Sequence, residues 1–275
     1  MSENEIAKLD TDKIAASLFP GVEIPKFILR ILCKIAHVDD INELFAGAPG
    51  KKDIDFVDAS MKYFNISCRV AGAERLPAGD RPLIFVSNHP LGALEAISIA
   101  HILGHRYNGK IKFYANEFLR HIEPLKDLFL PIYKRRHQSR ENIRLIQEFY
   151  ESAQHLISFP AGITSRLHGK KIVDVDWHGN FIKKAVEYKR DVVPLYFEAR
   201  NSSFYYRLER FRMLIRSRIS FETLFLPNEM FKQRGKIFTL YIGDPIPWQT
   251  FNSSRTSQGW AAYVKEIAYR LPPDA

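Results

Sequence analysis

The chain has 275 residues, 46% of them hydrophobic, with 40 lysines and arginines against 31 acidic residues, a net charge of +9 and a pI near 9.4. That is enough apolar material for a substantial core, and the positive balance calls for an anionic partner, either nucleic acid or anionic lipid. Cys33 and Cys68 are spaced for neither a zinc knuckle nor a disulfide framework, which suits a reducing compartment, and no stretch approaches the roughly 20 uninterrupted apolar residues that span a bilayer.

In chain order, residues 1–13 are polar and carry Glu3, Glu5, Asp10 and Asp12. They lack the basic start and apolar core of an export signal, so a cytoplasmic location is expected. In residues 24–45, Phe27, Ile28, Ile31, Leu32 and Ile35 fall at helical spacing, interrupted by Lys26, Arg30, Lys34, Asp39, Asp40 and Glu43. Such a stripe suits a membrane surface or the protein's own core, and core packing is the expectation. Residues 83–86 read as a short buried strand and 93–103 as a packed helix, with Pro90 and Gly92 shaping the turn between them. Strands are expected at 110–115 and 129–133, then a helix capped by Ser139 and running to about 153. A strand at 156–159, a helix at 181–189 and a buried strand at 192–197 follow. Residues 204–218 are dense in aromatic, aliphatic and arginine side chains; an interfacial helix, an RNA-binding helix or a solvated basic face each fit that composition. No RNA-binding signature accompanies it, so lipid is favoured over nucleic acid. A strand at 237–242, a proline-stiffened turn at 243–248 and a helix at 257–271 close the chain. Alternating strands and helices predict an α/β fold, a layered mixed sheet flanked by helices behind a helical N-terminal region.

The most informative stretch is Asn88-His89-Pro90-Leu91-Gly92-Ala93-Leu94-Glu95, where an apolar strand ends in an imidazole and a carboxylate follows in the next helical turn. Neutral imidazole accepts protons near physiological pH, and a carboxylate on its second nitrogen fixes the tautomer and stabilises the imidazolium. The same residues also fit a plainer role, Glu95 capping a helix and His89 bonded within a turn. A second motif, Phe159-Pro160-Ala161-Gly162-Ile163-Thr164-Ser165-Arg166, again directly follows an apolar run. It is not a nucleophile elbow, which needs a serine between glycines. His101 and His105 share one helical face, but the zinc-protease glutamate is missing and Gly104 weakens the helix, so no metal is expected.

Together the two motifs resemble the lysophospholipid acyltransferase family, whose signatures are an Asn-His with a downstream acid and a Phe-Pro-Glu-Gly-Thr-like block. Phe129-Leu130-Pro131-Ile132-Tyr133-Lys134-Arg135-Arg136 and Val192-Val193-Pro194-Leu195 match two weaker blocks in the right order, so the resemblance covers roughly residues 80–200. Most members place an Asp five residues after the His. Here a Glu stands six residues on, a form similar to ornithine-lipid O-acyltransferases and to bacterial proteins labelled haemolysins. Ala161 replaces the Glu of the third block, which makes a glycerol phosphate acceptor less suitable and an amino-acid-headed lipid more so.

The resemblance implies an acyltransferase domain over residues 76–275 behind the helical region 1–75. It implies transfer of a fatty acyl group from a thioester of acyl carrier protein or coenzyme A to the hydroxyl of a membrane lysolipid, with no further cofactor. His89 would be the general base, with Glu95 orienting it. Asn88 belongs to the substrate-binding set. Gly162, Thr164 and Ser165 would shape the acceptor pocket. Arg135, Arg136 and Arg166 would hold an anionic head group or carrier phosphate; Lys183 and Lys184 would do the same or serve only as surface charge. The protein would sit peripherally on the inner, anionic membrane face. Two other readings are a hydrolase using the same pair on water and a non-catalytic, haemolysin-like membrane protein.

Overall fold

The computed structural model describes residues 25–79, 81–115, 122–131, 140–217 and 220–273. The polar segment 1–13, Tyr133, Lys134, Arg135, Arg136, Ser139 and Arg218 lie outside the described residues.

The chain enters through three helices, α1 (Lys26–Ile35), α2 (Val38–Ala46) and α3 (Asp53–Tyr63), and strand β1 (Ser67–Ala71). Next come β2 (Ile84–Ser87), α4 (Leu94–Arg106), β3 (Ile111–Ala115), β4 (Phe129–Pro131), α5 (Arg140–Glu151) and β5 (His155–Ser158). A small antiparallel pair, β6 (Arg166–His168) and β7 (Lys171–Val173), precedes α6 (Asn180–Glu187) and β8 (Val192–Glu198). The chain ends with α7 (Ser203–Leu214), a 3-10 turn (Phe221–Phe225), α8 (Leu226–Phe231), β9 (Ile237–Ile242) and α9 (Ser257–Tyr269).

Seven strands form one sheet in the order β1-β9-β8-β2-β5-β3-β4. Every pairing is parallel except β8 with β9, so the sheet is mixed, as expected. β2 sits centrally between β8 and β5, and its Ile84, Phe85 and Val86 are fully buried. A continuous run of branched and aromatic residues is what a strand covered on both faces requires. Alternation sends Phe85 into one apolar cluster, with Phe56 and Val57 of α3 and Leu94 and Leu103 of α4. It sends Ile84 and Val86 into another, with Phe149 of α5, Phe181 of α6 and Trp260 of α9.

Residues 25–45 do not form one packed helix. The backbone breaks at Ala36 and His37, the latter in a left-handed conformation (φ 50°), where its ring stacks on Phe231 at 4.3 Å. α2 buries Val38, Leu44 and Phe45, whereas α1 buries nothing and exposes Phe27, Ile28 and Ile31. The core packing expected of the stripe does not hold: Phe27, Ile28, Ile31, Leu32 and Ile35 all lie on α1, the first three exposed and the other two half-buried. Among the described residues no helix is long and apolar enough to cross a membrane.

Candidate active site

β2 and β5 are parallel neighbours, so the loops leaving their carboxyl ends emerge side by side. That adjacency brings the Asn88-His89 motif against the Phe159–Arg166 motif, at the strand ends where α/β sheets collect their functional groups. Asn88 fixes the exit. Its buried amide accepts the Phe197 backbone N–H at Oδ1 (2.7 Å) and donates from Nδ2 to the Phe197 carbonyl (3.0 Å), extending the β2–β8 pairing beyond Ser87 with a side chain. The main chain of His89 is then held on both sides: its N–H donates to Asp174 Oδ1 (3.3 Å) and its carbonyl accepts from Ser165 N (2.8 Å). Asn201 donates to the Pro90 carbonyl (3.1 Å).

His89 Nδ1 lies 2.9 Å from Oε1 of Glu95, which is fully buried in the first turn of α4. The same oxygen accepts the backbone N–H groups of Leu91 (2.9 Å) and Gly92 (2.8 Å). Those two bonds require the turn to fold back on the helix start, which Gly92 permits at φ 96°. A Cβ there would also stand 3.1 Å from the Thr164 methyl. Burial, the largest influence on Glu95, pushes its pKa up, but the charge of His89, the bond between them and the Gly92 amide together bring it below the ordinary 4.5. The carboxylate is therefore anionic at neutral pH. The imidazole lies almost flat on Phe159, centroids 4.5 Å apart and planes inclined by 25°. With Nδ1 held by the carboxylate, Nε2 is the atom left to exchange a proton; among the described residues it has no hydrogen-bond partner, and the ring is 17% exposed. Such an arrangement can serve as a general base with a carboxylate that orients it and favours the proton on Nδ1.

The other expected site residues fall in two groups. Gly162 and Ile163 are exposed on the turn after β5, beside the histidine's loop. Thr164 and Ser165 are buried: Thr164 Oγ1 bonds the Tyr205 hydroxyl (2.8 Å), and Ser165 Oγ donates to Asp174 Oδ1 (2.6 Å). Arg166 is buried as well, Nη1 lying 3.2 Å from Glu222 and Nε 3.5 Å from Glu209, while Arg212 Nε reaches Glu222 at 2.8 Å. Burial, only partly offset by Arg166, holds Glu209 above the usual carboxylate range. These partners tie the motif to α7 and the 3-10 turn. Lys184 points at Glu187 (2.8 Å) and the Tyr150 and Tyr188 rings, and Lys183 lines a surface cleft beside Phe251 and Trp260. Ala161 is buried in the apolar cluster that contains Val86, Leu130 and Trp177.

Asp174, Asn201, Tyr205 and Glu222 escape sequence reading. Asp174 has most to do, accepting His89 N, Ser165 Oγ and Trp177 Nε1 (2.8 Å). Nothing in Val173-Asp174-Val175-Asp176-Trp177 distinguishes it from its neighbour Asp176.

The family described as Acyltransferase matches residues 12–272. Two relatives, both named lyso-glycine lipid O-acyltransferase, are 38% identical to the chain: that of Phocaeicola vulgatus over 98% of each chain, and that of Bacteroides thetaiotaomicron over 98% of this chain and 100% of its own. The crystal structure of the 1-acyl-sn-glycerophosphate acyltransferase PlsC from Thermotoga maritima superposes with a TM-score of 0.50 at 16% identity, covering 94% of this chain and 91% of that one, a likeness of fold. The chain belongs to the acyltransferase family, as its two motifs led one to expect, and it is an acyltransferase.

Proposed function

Taking acyl transfer as the premise, we propose that this protein moves a fatty acyl group from a thioester of acyl carrier protein or coenzyme A to the hydroxyl of an amino-acid-headed lysolipid, with a glycine-headed lipid the first choice. The observation that carries the reading is the His89–Glu95 pair, 2.9 Å apart with Nδ1 committed and Nε2 open. Nε2 takes the proton of the lipid hydroxyl as its oxygen attacks the thioester carbonyl carbon. The tetrahedral adduct collapses, the C–S bond breaks, and the imidazolium returns its proton to the departing sulfur. The products are an ester and a thiol, and Glu95 stabilises the positive imidazole between the two transfers. Because the alcohol attacks directly, no acyl-enzyme is needed, and holding both substrates together removes entropy from the barrier.

The acceptor class rests on Ala161 and on the relatives' names. A carboxylate at position 161 would stand in the apolar cluster rather than meet a head group, which supports an acceptor other than a glycerol phosphate. Gly162 and Ile163 supply the exposed edge of the acceptor pocket, and Thr164 and Ser165 shape it through their bonds to Tyr205 and Asp174. We assign Arg166 to holding α7 against the site. Arg135 and Arg136 stay the candidates for a phosphate of the donor, with the exposed Lys183 a weaker one.

The lipid is met at the surface. α1 offers Phe27, Ile28 and Ile31 among Lys26, Arg30 and Lys34; the end of α7 and the residue after it offer Phe211, Met213, Leu214 and Ile215 among Arg207, Arg210 and Arg216. Both helices pack against the 3-10 turn at Phe221–Phe225, which makes them near neighbours. Exposed apolar residues framed by cations suit an anionic lipid surface.

The test offers purified protein a lyso-glycine lipid with acyl carrier protein or coenzyme A thioesters and follows products by mass spectrometry. Ester should form, and His89→Gln should lower the rate at least about a hundredfold. Free fatty acid released equally with and without acceptor would indicate a hydrolase, and vesicle lysis indifferent to His89→Gln a lytic protein. A preference for lysophosphatidic acid would show the weight on Ala161 to be misplaced.

A further inference from the structure

We propose that Asp58, His101 and His105 form a binding site for one divalent transition-metal ion, best suited to zinc, that clamps α3 to α4. The sequence shows only two imidazoles four residues apart; the third ligand arrives from a helix 43 residues earlier. The two helices cross antiparallel. Ile54 of α3 meets Gly104, Asp58 meets His101 and His105, and the Met61 sulfur accepts from Ser98 Oγ (3.8 Å). Ile54 and Asp58 are four apart and share one face of α3. Gly104 allows this close approach, since a Cβ there would stand 2.3 Å from Ile54 Cδ1. The glycine that weakens a zinc-protease helix is what brings a carboxylate to the histidine pair.

The geometry fits a metal. His101 Nδ1 lies 2.7 Å from Asp58 Oδ1, and His105 Nε2 lies 3.1 and 3.0 Å from the two carboxylate oxygens. The candidate ligand atoms all fall within 4.8 Å of one another. Zinc bonds to imidazole and carboxylate run about 2.0–2.2 Å, which sets tetrahedral ligands roughly 3.3–3.6 Å apart. Small side-chain rotations therefore separate the present hydrogen-bonded atoms around an ion. Two nitrogens and one oxygen select zinc and its late first-row neighbours over magnesium or calcium, which prefer all-oxygen shells. The three side chains are 36–55% exposed, so water can complete the shell. α4 begins with the turn that carries Glu95, and the clamp holds that helix about two turns further on.

Calorimetric titration of the chelator-treated full chain with zinc should show one ion bound. Its affinity should fall at least about tenfold in His101→Ala and in Asp58→Asn. Zinc at about one hundred times the wild-type Kd should raise the melting temperature of the wild type by about 5 °C and that of His101→Ala by no more than about half as much. His105→Asn provides a second variant should His101→Ala fold poorly. Absence of binding by the wild type, equal affinity in all the variants, or binding lost in His89→Gln instead would overturn the proposal.

Discussion

Glu95→Gln isolates the charge of the proposed orienting carboxylate from its shape. Glutamine keeps the volume and one carbonyl oxygen, which can still accept the N–H groups of Leu91 and Gly92 that now converge on Oε1 at 2.9 and 2.8 Å. The amide nitrogen must then occupy the place of Oε2, which is buried without a hydrogen-bond partner. An unpaired buried donor costs about 1–3 kcal/mol; the flipped amide is worse, because it sets NH2 against two N–H donors. The expected loss of stability is thus about 1–3 kcal/mol, a fall of several degrees in melting temperature for a chain of this size. The catalytic loss is larger. Without the anion 2.9 Å from Nδ1, nothing stabilises the imidazolium, and general-base assistance is worth about 10²–10⁴ in rate, or roughly 3–5 kcal/mol of barrier. Steady-state kinetics with thioester and lysolipid, beside a thermal melt, separate the two effects. A variant with kcat/KM within about threefold of wild type and a normal melt would refute the assignment of Glu95.

Three further outcomes follow from the same geometry. Glu95 titrates below its ordinary 4.5 in the folded chain, so its contribution to stability is complete above that value and is lost as pH falls through the lower folded pKa; melting temperature followed from neutral pH downward should show this loss in wild type and not in Glu95→Gln. Arg166→Met removes the guanidinium between Glu209 and Glu222 and leaves buried carboxylates short of a counter-charge, so denaturant titration should show destabilisation by about 3–5 kcal/mol. Replacing Phe27 and Leu214, 66% and 80% exposed, with serine should weaken sedimentation with anionic vesicles at least about tenfold, without lowering the melting temperature.

Some of this was legible along the chain and some was not. The run at residues 83–86 and the Pro90 and Gly92 that follow it carry their own structure, and the order of the two motifs carried the family. Helix limits moved by a few residues; the central strands and Ile237–Ile242 fell where alternation and β-branching put them. The partners of the site did not, because sheet order decides them. Asn88 bonds across 109 residues to Phe197, and His89 bonds across 85 to Asp174. No local spacing encodes which strand will stand next to β2. The break at His37 was equally hidden, since a left-handed histidine is supported by Phe231 and by Asn228 (3.2 Å), nearly 200 residues on.

The contacts around His89 explain why so short a motif needs so large a scaffold. Its peptide N–H goes to Asp174, its carbonyl receives Ser165, its ring lies on Phe159 and Nδ1 faces Glu95. Each partner is held in turn: Asp174 N by the Tyr269 hydroxyl of α9 (2.7 Å), Ser165 by the Arg166 network next to it, and Glu95 by the amides of its own turn. A general base works only if its free nitrogen meets the alcohol within hydrogen-bond reach when the thioester arrives, and errors of about 1 Å cost orders of magnitude. Fixing every other atom of the ring and its peptide leaves Nε2 with one direction. Tyr205 extends this hold to the proposed lipid-facing patch, since α7 both bonds Thr164 through it and carries the exposed Phe211, Met213 and Leu214. Tyr205→Phe therefore separates positioning from packing: it keeps the buried ring, removes the 2.8 Å bond to Thr164, and should raise KM for the lysolipid more than it lowers kcat. A fall confined to kcat would place Tyr205 in the chemical step and break the proposed link between lipid surface and base.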